Sequence, residues 1–177
     1  MTNLDVATVS LDVATAADAT LLANLIELYA HDLSDVFPEV VLGPDGRYGY
    51  QRLPLYWSEP DRRFAFVIHA DGQVAGFVLV TRGSPATEDP DVLDVAEFFV
   101  LRRYRRRGVG QRAAQLLWRR LPGKWTVRVA EVNKGGLAFW GDVLAAAPAG
   151  VTVTIRPAGR TSWRVYAFDS AVLREAG

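Results

Sequence analysis

Cysteine is absent from the sequence, which excludes disulfides, thiolate metal sites and a thiol nucleophile together. Histidine occurs only at His31 and His69, too sparse and too separated for a metal centre, and no metal is expected. Charge of one sign is missing as well: 20 Lys and Arg balance 20 Asp and Glu. Without a global field to hold nucleic acid or an anionic membrane, any electrostatic binding must be local. No run approaches the ~20 apolar residues of a spanning helix, and "MTNLDVATVSLDVATAADAT" has no basic segment leading into an apolar one, so a soluble, cytoplasmic protein is expected. Repeats and low-complexity tracts are lacking too.

What is present is a large apolar fraction. At 177 residues and 50% hydrophobic, the chain can bury one substantial core, and its length favours a single domain over residues 1–177. "VATVSL" (Val6 to Leu11) alternates as a strand. Thr15 then caps a helix in which Leu22, Leu25, Ile26, Tyr29 and Leu33 recur at helical spacing. From Ser34 to Asp61, Pro38, Gly43, Pro44, Gly46, Gly49, Pro54 and Pro60 predict a loop with a short helical piece, rich in aromatics (Tyr48, Tyr50, Tyr56, Trp57). "RFAFVIH" and "QVAGFVLVTR" flank "ADG" as a hairpin, and "VLDVAEFFVL" (Val92 to Leu101) is apolar enough for a central fourth strand. A helix with Val109, Ala113, Leu116, Leu117 and Leu121 on one face follows, stopped by Pro122 and Gly123. "WTVRVAEV" reads as a fifth strand, "GGLAFWGDVLAAA" as a helix, and "VTVTI" and "WRVYAF" as strands around the turn "RPAGRTS". The class is α/β with a mixed sheet.

Five arginines fill Arg102, Arg103, Arg105, Arg106 and Arg107, and two glycines, Gly108 and Gly110, come straight after them. They lie where the fourth strand ends and a helix begins. A helix N-terminus offers unpaired N–H groups and a partial positive charge, glycine lets an anion approach the backbone, and guanidinium adds charge-assisted bonds. The stretch from Arg105 through Val109, Gln111 and Arg112 therefore reads as a polyphosphate cradle. A nucleotide-hydrolase loop is excluded because no Lys is followed by Ser or Thr. The dinucleotide fingerprint is a poor match, since its third glycine position holds Ala113 and the element follows a fourth strand. Solvated surface, or nonspecific contact with a nucleic-acid backbone, is the plain alternative for so many arginines.

With Arg105, Gly108 and Gly110 in R-x-x-G-x-G, the chain resembles the GNAT (GCN5-related N-acetyltransferase) family, in which this element binds the pyrophosphate of acetyl-coenzyme A. "NKGGLAFW", with Asn133, Phe139 and Trp140, is similar to the family's N-x-x-A-x-x-F-[YW] element, and it follows the fifth strand as it does there. Asn is also a favoured helix N-cap, so its two readings coincide. The resemblance covers nearly the whole chain and implies a mostly antiparallel sheet of about seven strands, flanked by helices, with the fourth and fifth splayed. It further implies that the acyl-pantetheine arm bonds to backbone groups of Phe98, Phe99 and Val100, and that the activity is acetyl transfer to an amine.

Such a reaction needs a base for the amine, an oxyanion donor and an acid for the leaving thiolate. Glu97 and Asp94 are the candidate bases. Three apart, they project to opposite faces of a regular strand, so only one can look into the cleft. Glu97, half-buried among Val95, Phe98 and Phe99, is the first choice and Asp94 the reserve; pairing of Glu97 with an arginine is the structural alternative. A backbone N–H at Phe99 or Val100 would serve the oxyanion. The family commonly has Tyr where this chain has Trp140, whose indole only donates, so Trp140 is a wall of the arm's channel or plain core, and the acid is left unassigned. With no cysteine to carry the acyl group, direct attack in a ternary complex is expected. A silent acyl-CoA-binding or sensing domain is the alternative. The acceptor is a small-molecule or peptide amine, not nucleic acid or membrane, with a homodimer left open. The first helix's end and the stretch Tyr48 to Trp57 should line its pocket, and Arg52, Glu59 or Asp61 could read its charge.

Overall fold

In a computed structural model, residues 7–146, 150–159 and 161–171 are described. They build one seven-stranded sheet in the order β1-β2-β3-β4-β5-β7-β6, from β1 (Val9–Val13), β2 (Arg63–Ala70), β3 (Gln73–Arg82), β4 (Leu93–Val100), β5 (Lys124–Ala130), β6 (Thr152–Ala158) and β7 (Thr161–Asp169). Every neighbouring pair is antiparallel except β4 and β5. Parallel strands need a crossover, and the helix predicted from Val109 supplies it.

The expected first strand is shifted toward Val13, with Val6 outside the described residues. The last two strands are longer than expected: the pairing runs on to Pro157↔Ser162 and Ala158↔Thr161. Proline fits there because β6 is an edge strand, where a missing N–H costs the ladder nothing.

Alternation along the strands divides the core. One face packs α3 (Val109–Arg120) and α4 (Lys134–Ala145) against Val78, Val80, Val95, Trp125 and Val127. The other packs α1 (Ala19–Ser34) and the one-turn α2 (Leu55–Ser58) against Ala65, Val67, Phe77, Leu79 and Phe99. Ahead of α1, the Asp18 carboxylate accepts from the N–H and hydroxyl of Thr15 at 2.8 and 3.0 Å.

Two irregularities in β4 shape the centre of the sheet. Opposite β3, Val80 pairs Val95 but Leu79 pairs Glu97, so Ala96 is an extra residue, a β-bulge. On its other side, β4 pairs β5 only at Leu93↔Trp125, Asp94↔Thr126 and Val95↔Val127. Beyond Val95 the two strands part, and Ala96 to Val100 have no partner across the gap.

Candidate active site

The bulge changes the geometry expected of the two carboxylates. Cross-strand partners share a face, and Asp94 lies opposite Thr81 while Glu97 lies opposite Leu79. Thr81 and Leu79 are two apart in a regular strand and so point the same way. Asp94 and Glu97 therefore occupy the same face, toward α1, contrary to the regular-strand expectation.

Their surroundings differ. Asp94 is fully buried. Its Oδ1 accepts from Ser84 Oγ at 2.8 Å and Thr126 Oγ1 at 2.6 Å, and Arg128 holds both oxygens through Nε and Nη2, the latter at 2.8 Å from Oδ2. Its oxygens are filled, leaving none to take a proton from an acceptor. Glu97 is only partly buried, and its donors are tyrosines: Tyr29 Oη from α1 at 2.8 Å and Tyr50 Oη from the loop at 3.1 Å. Burial pushes its carboxyl above the ordinary value, while the two tyrosine bonds pull the other way. Tyr29 and Tyr50 are themselves raised, by burial first and then by the neighbouring Glu97 charge, so they remain donors throughout the working pH range. Tyr56 is pushed up to about 12 by burial; its hydroxyl lies beside Tyr50 and Arg63 without a hydrogen bond of good geometry.

The loop aromatics are expected near the site from the sequence; the convergence of Tyr29 and Tyr50 on one carboxylate is not. Tyr29 was visible only as a core position of α1, where it also packs edge-on against Phe77 at 5.7 Å. The loop is fastened by Glu27, whose carboxylate accepts the N–H groups of Tyr48 and Gly49 at 2.7 and 3.0 Å. His31 Nδ1 lies 3.2 Å from Tyr48 Oη, and His69 Nδ1 lies 2.8 Å from Asp12, so each histidine is engaged away from Glu97.

Across the sheet, Phe98 stacks with Phe139 at 5.4 Å and with Trp140 at 5.1 Å. These rings wall the gap on the α3–α4 side, and Trp140 is buried in that core. Asn133 caps α4, its Oδ1 accepting from Gly136 N at 2.9 Å. Backbone direction separates the three residues expected to hold the arm. Leu101 N donates to Ala75 O at 2.8 Å, so by alternation Phe99 also turns toward β3, while Phe98 and Val100 turn toward the gap. Phe99 N–H is thereby removed as an oxyanion donor.

The arginine-rich turn divides its labour. Arg105, expected at the pyrophosphate, instead ties elements together: its Nε donates to Val100 O at 2.7 Å, its Nη2 pairs with Asp32 near the end of α1, and its guanidinium lies over Phe99. Arg102 joins the same carboxylate at 2.6 Å. Burial alone would raise Asp32, but the bonds from Arg105 and Arg102 outweigh it and hold its carboxyl low. Arg106 and Arg107 are exposed and have no ion-pair partner among the described residues. They precede Gly108, the N-cap of α3, at φ +75° with nothing within 4 Å of where a Cβ would stand. A diphosphate fits this opening: bare backbone at a helix start, two free guanidiniums, and the exposed Gln111 and Arg112 on the first turn. Gly110 has a different reason from the one expected. A Cβ there would meet Phe139 Cε2 at 2.8 Å, so this glycine, beside the buried Val109, lets α3 approach α4.

Among the described residues no group of His, Asp and Glu could hold a metal, and no helix is long and apolar enough to cross a membrane.

The parted strands, the glycine-opened helix start and the half-buried carboxylate between them define an acyltransferase class of fold. The family model for the acetyltransferase (GNAT) family matches residues 24–142, and the chain belongs to that family. No curated protein sequence matches it. Among solved structures it is similar to an acetyltransferase from Thermus thermophilus, at 16% identity and TM-score 0.64 over 93% of this chain and 98% of that one. It is similar as well to the ribosomal-protein-S18-alanine N-acetyltransferase of Escherichia coli (16%, 0.62, 93% and 95%). A third is RimL, a ribosomal L7/L12 α-N-protein acetyltransferase solved with coenzyme A (12%, 0.66, 93% and 96%). At these identities the likeness is one of fold.

Proposed function

We propose that the chain acts as one transferase domain that moves the acetyl group of acetyl-CoA to a primary amine by direct attack in a ternary complex. The observation that carries this reading is the parting of β4 from β5 after Val95, which opens a gap between Glu97 on one face and Phe98, Phe139 and Trp140 on the other.

Acetyl-CoA would supply a thioester carbonyl: the amine nitrogen bonds to it, the carbon–sulfur bond breaks, and the amine's proton must leave while the sulfur gains one. Residues of this chain hold the cofactor and take the amine's proton, and solvent returns a proton to the sulfur. Gly108 and the N–H groups opening α3, with Arg106 and Arg107, hold the diphosphate. Val109 and Gly110 seat that helix against Val100 and Phe139. Phe98 and Val100 offer backbone groups along the gap, and Val100 N–H is the oxyanion donor. Glu97, kept partly out of water and oriented by Tyr29 and Tyr50, takes the amine's proton directly or through one water. Asp94 fixes Arg128 and does no proton transfer.

Calorimetry with acetyl-CoA, together with thiol release over a panel of amines, tests the reading. Binding that Gly108→Glu abolishes is expected; binding unaffected by that change would put the diphosphate elsewhere. Trp140, an indole that only donates where the family commonly has Tyr, favours the alternative of binding without turnover, and that alternative wins if acetyl-CoA binds but no amine releases thiol.

A further inference from the structure

Glu97 can answer one ammonium, and the charges around it constrain what else the acceptor carries. The neighbouring carboxylates are already matched. Asp94 is held by Arg128, and Glu59 by Arg63 at 2.7 Å. Glu27 and Asp32 are taken by the loop's backbone and by the arginine turn. Asp61 is exposed but precedes the end of β2 that pairs with Thr81, not the stretch level with Glu97. None of these carboxylates is left for a second positive charge on an acceptor.

The cations are not matched. Arg52 lies two residues after Tyr50, whose hydroxyl reaches Glu97, and four before the buried Tyr56. It is exposed, its guanidinium has no hydrogen bond or ion pair among the described residues, and it interacts electrostatically with Glu97. Arg128 spends Nε and Nη2 on Asp94 and leaves Nη1 without a hydrogen bond among those residues. Thr126 lies opposite Asp94, so Arg128, two further on, shares the Glu97 face, just past the last rung joining β4 to β5.

Resting on the transfer reaction above, we propose that the acceptor is a zwitterion. Its ammonium meets Glu97, and its anionic group, a carboxylate or phosphate, is taken by Arg52 with Arg128 beside it. An ionised Glu97 opposite one ammonium leaves Arg52 uncompensated, and a guanidinium fork binds either anion in two-point fashion. A polyamine would bring its further positive charges up against Arg52 and Arg128.

The test measures thiol release with matched acceptors: L-amino acids against their α-carboxamides, phosphoethanolamine against ethanolamine, and spermidine as the polycation. In at least one pair the anionic member should have a kcat/KM about tenfold higher, the size of one charge-assisted contact in a partly exposed site. Arg52→Gln should bring that ratio to about one, and Arg52→Lys should restore most of it. The pair that responds separates carboxylate from phosphate. Equal rates in every pair, a preference for spermidine, or a ratio that survives Arg52→Gln overturns the assignment. So does acetyl-CoA binding without turnover on any acceptor. Failure to bind acetyl-CoA would instead bring down the transferase reading beneath it.

Discussion

Tyr29 and Glu97 stand 68 positions apart in the chain, yet their side chains meet at 2.8 Å, joining the helical layer to the middle strand of the sheet. With Tyr50 bonded to the other oxygen, the carboxylate is fixed in direction, while its partial burial holds its pKa up. Ionisation costs more than usual there, and the base is correspondingly stronger.

Glu97→Gln removes the proton acceptor and keeps the shape. Turnover should fall by about 10²-fold or more, with acetyl-CoA affinity little changed in calorimetry. The sign for stability is opposite. An acid whose folded pKa is raised contributes stability at low pH and loses it as pH rises through that pKa. At pH 8 the variant should therefore melt no lower than the parent; a marked drop in Tm would show the ionised carboxylate to be a structural anchor.

Tyr50→Phe deletes one of the two donors that favour the charged carboxylate. Because a base must be unprotonated, kcat/KM falls on the acid side, and losing the donor should move that limb upward by roughly one pH unit, the worth of one charge-assisted bond. The plateau at high pH should be largely kept. A uniform fall at every pH would mean that Tyr50 acts through substrate contact.

Two glycines two residues apart should respond differently. Gly108→Ala meets no atom but forces a side chain into the left-handed region, a cost of roughly 1–2 kcal/mol with the cradle still open. Gly110→Ala pushes on Phe139 and should destabilise by about 1–3 kcal/mol while disturbing the wall of the gap. Denaturant melts alongside acetyl-CoA titrations separate the two; equal effects would refute the division of roles.

Arg128→Met leaves Asp94 charged, buried and without its guanidinium. Loss of about 3–5 kcal/mol is expected, and Asp94→Asn in the same background should recover much of it, read as a double-mutant cycle in urea. Without recovery, the two residues are not coupled as their geometry indicates.

Periodicity and punctuation made the seven strands and the helices behind them legible, because alternation and helical spacing are local properties of a chain. The arginine and glycine turn was visible for the same reason. Three features were not. The extra residue at Ala96 leaves no mark in "LDVAEFFV", so Asp94 and Glu97 could only be assigned to opposite faces. Arg105 fits the expected motif in spacing, but Asp32, 73 positions earlier, captures it. Tyr29 fell at a core position of an amphipathic helix, and nothing in its neighbours shows that its hydroxyl would find Glu97. Each depends on long-range contact, which composition and spacing do not encode.

The bulge carries a consequence for descent as well as for chemistry. Pairing Ala96 as an ordinary rung, with no residue added or lost, would restore strict two-residue parity and rotate the carboxylate into the opposite layer, that of Phe139 and Trp140. Homologues that keep a carboxylate here should therefore either retain the bulge or lack the residue at Ala96 altogether, because both leave the carboxylate on the α1 face and a flat strand of unchanged length does not.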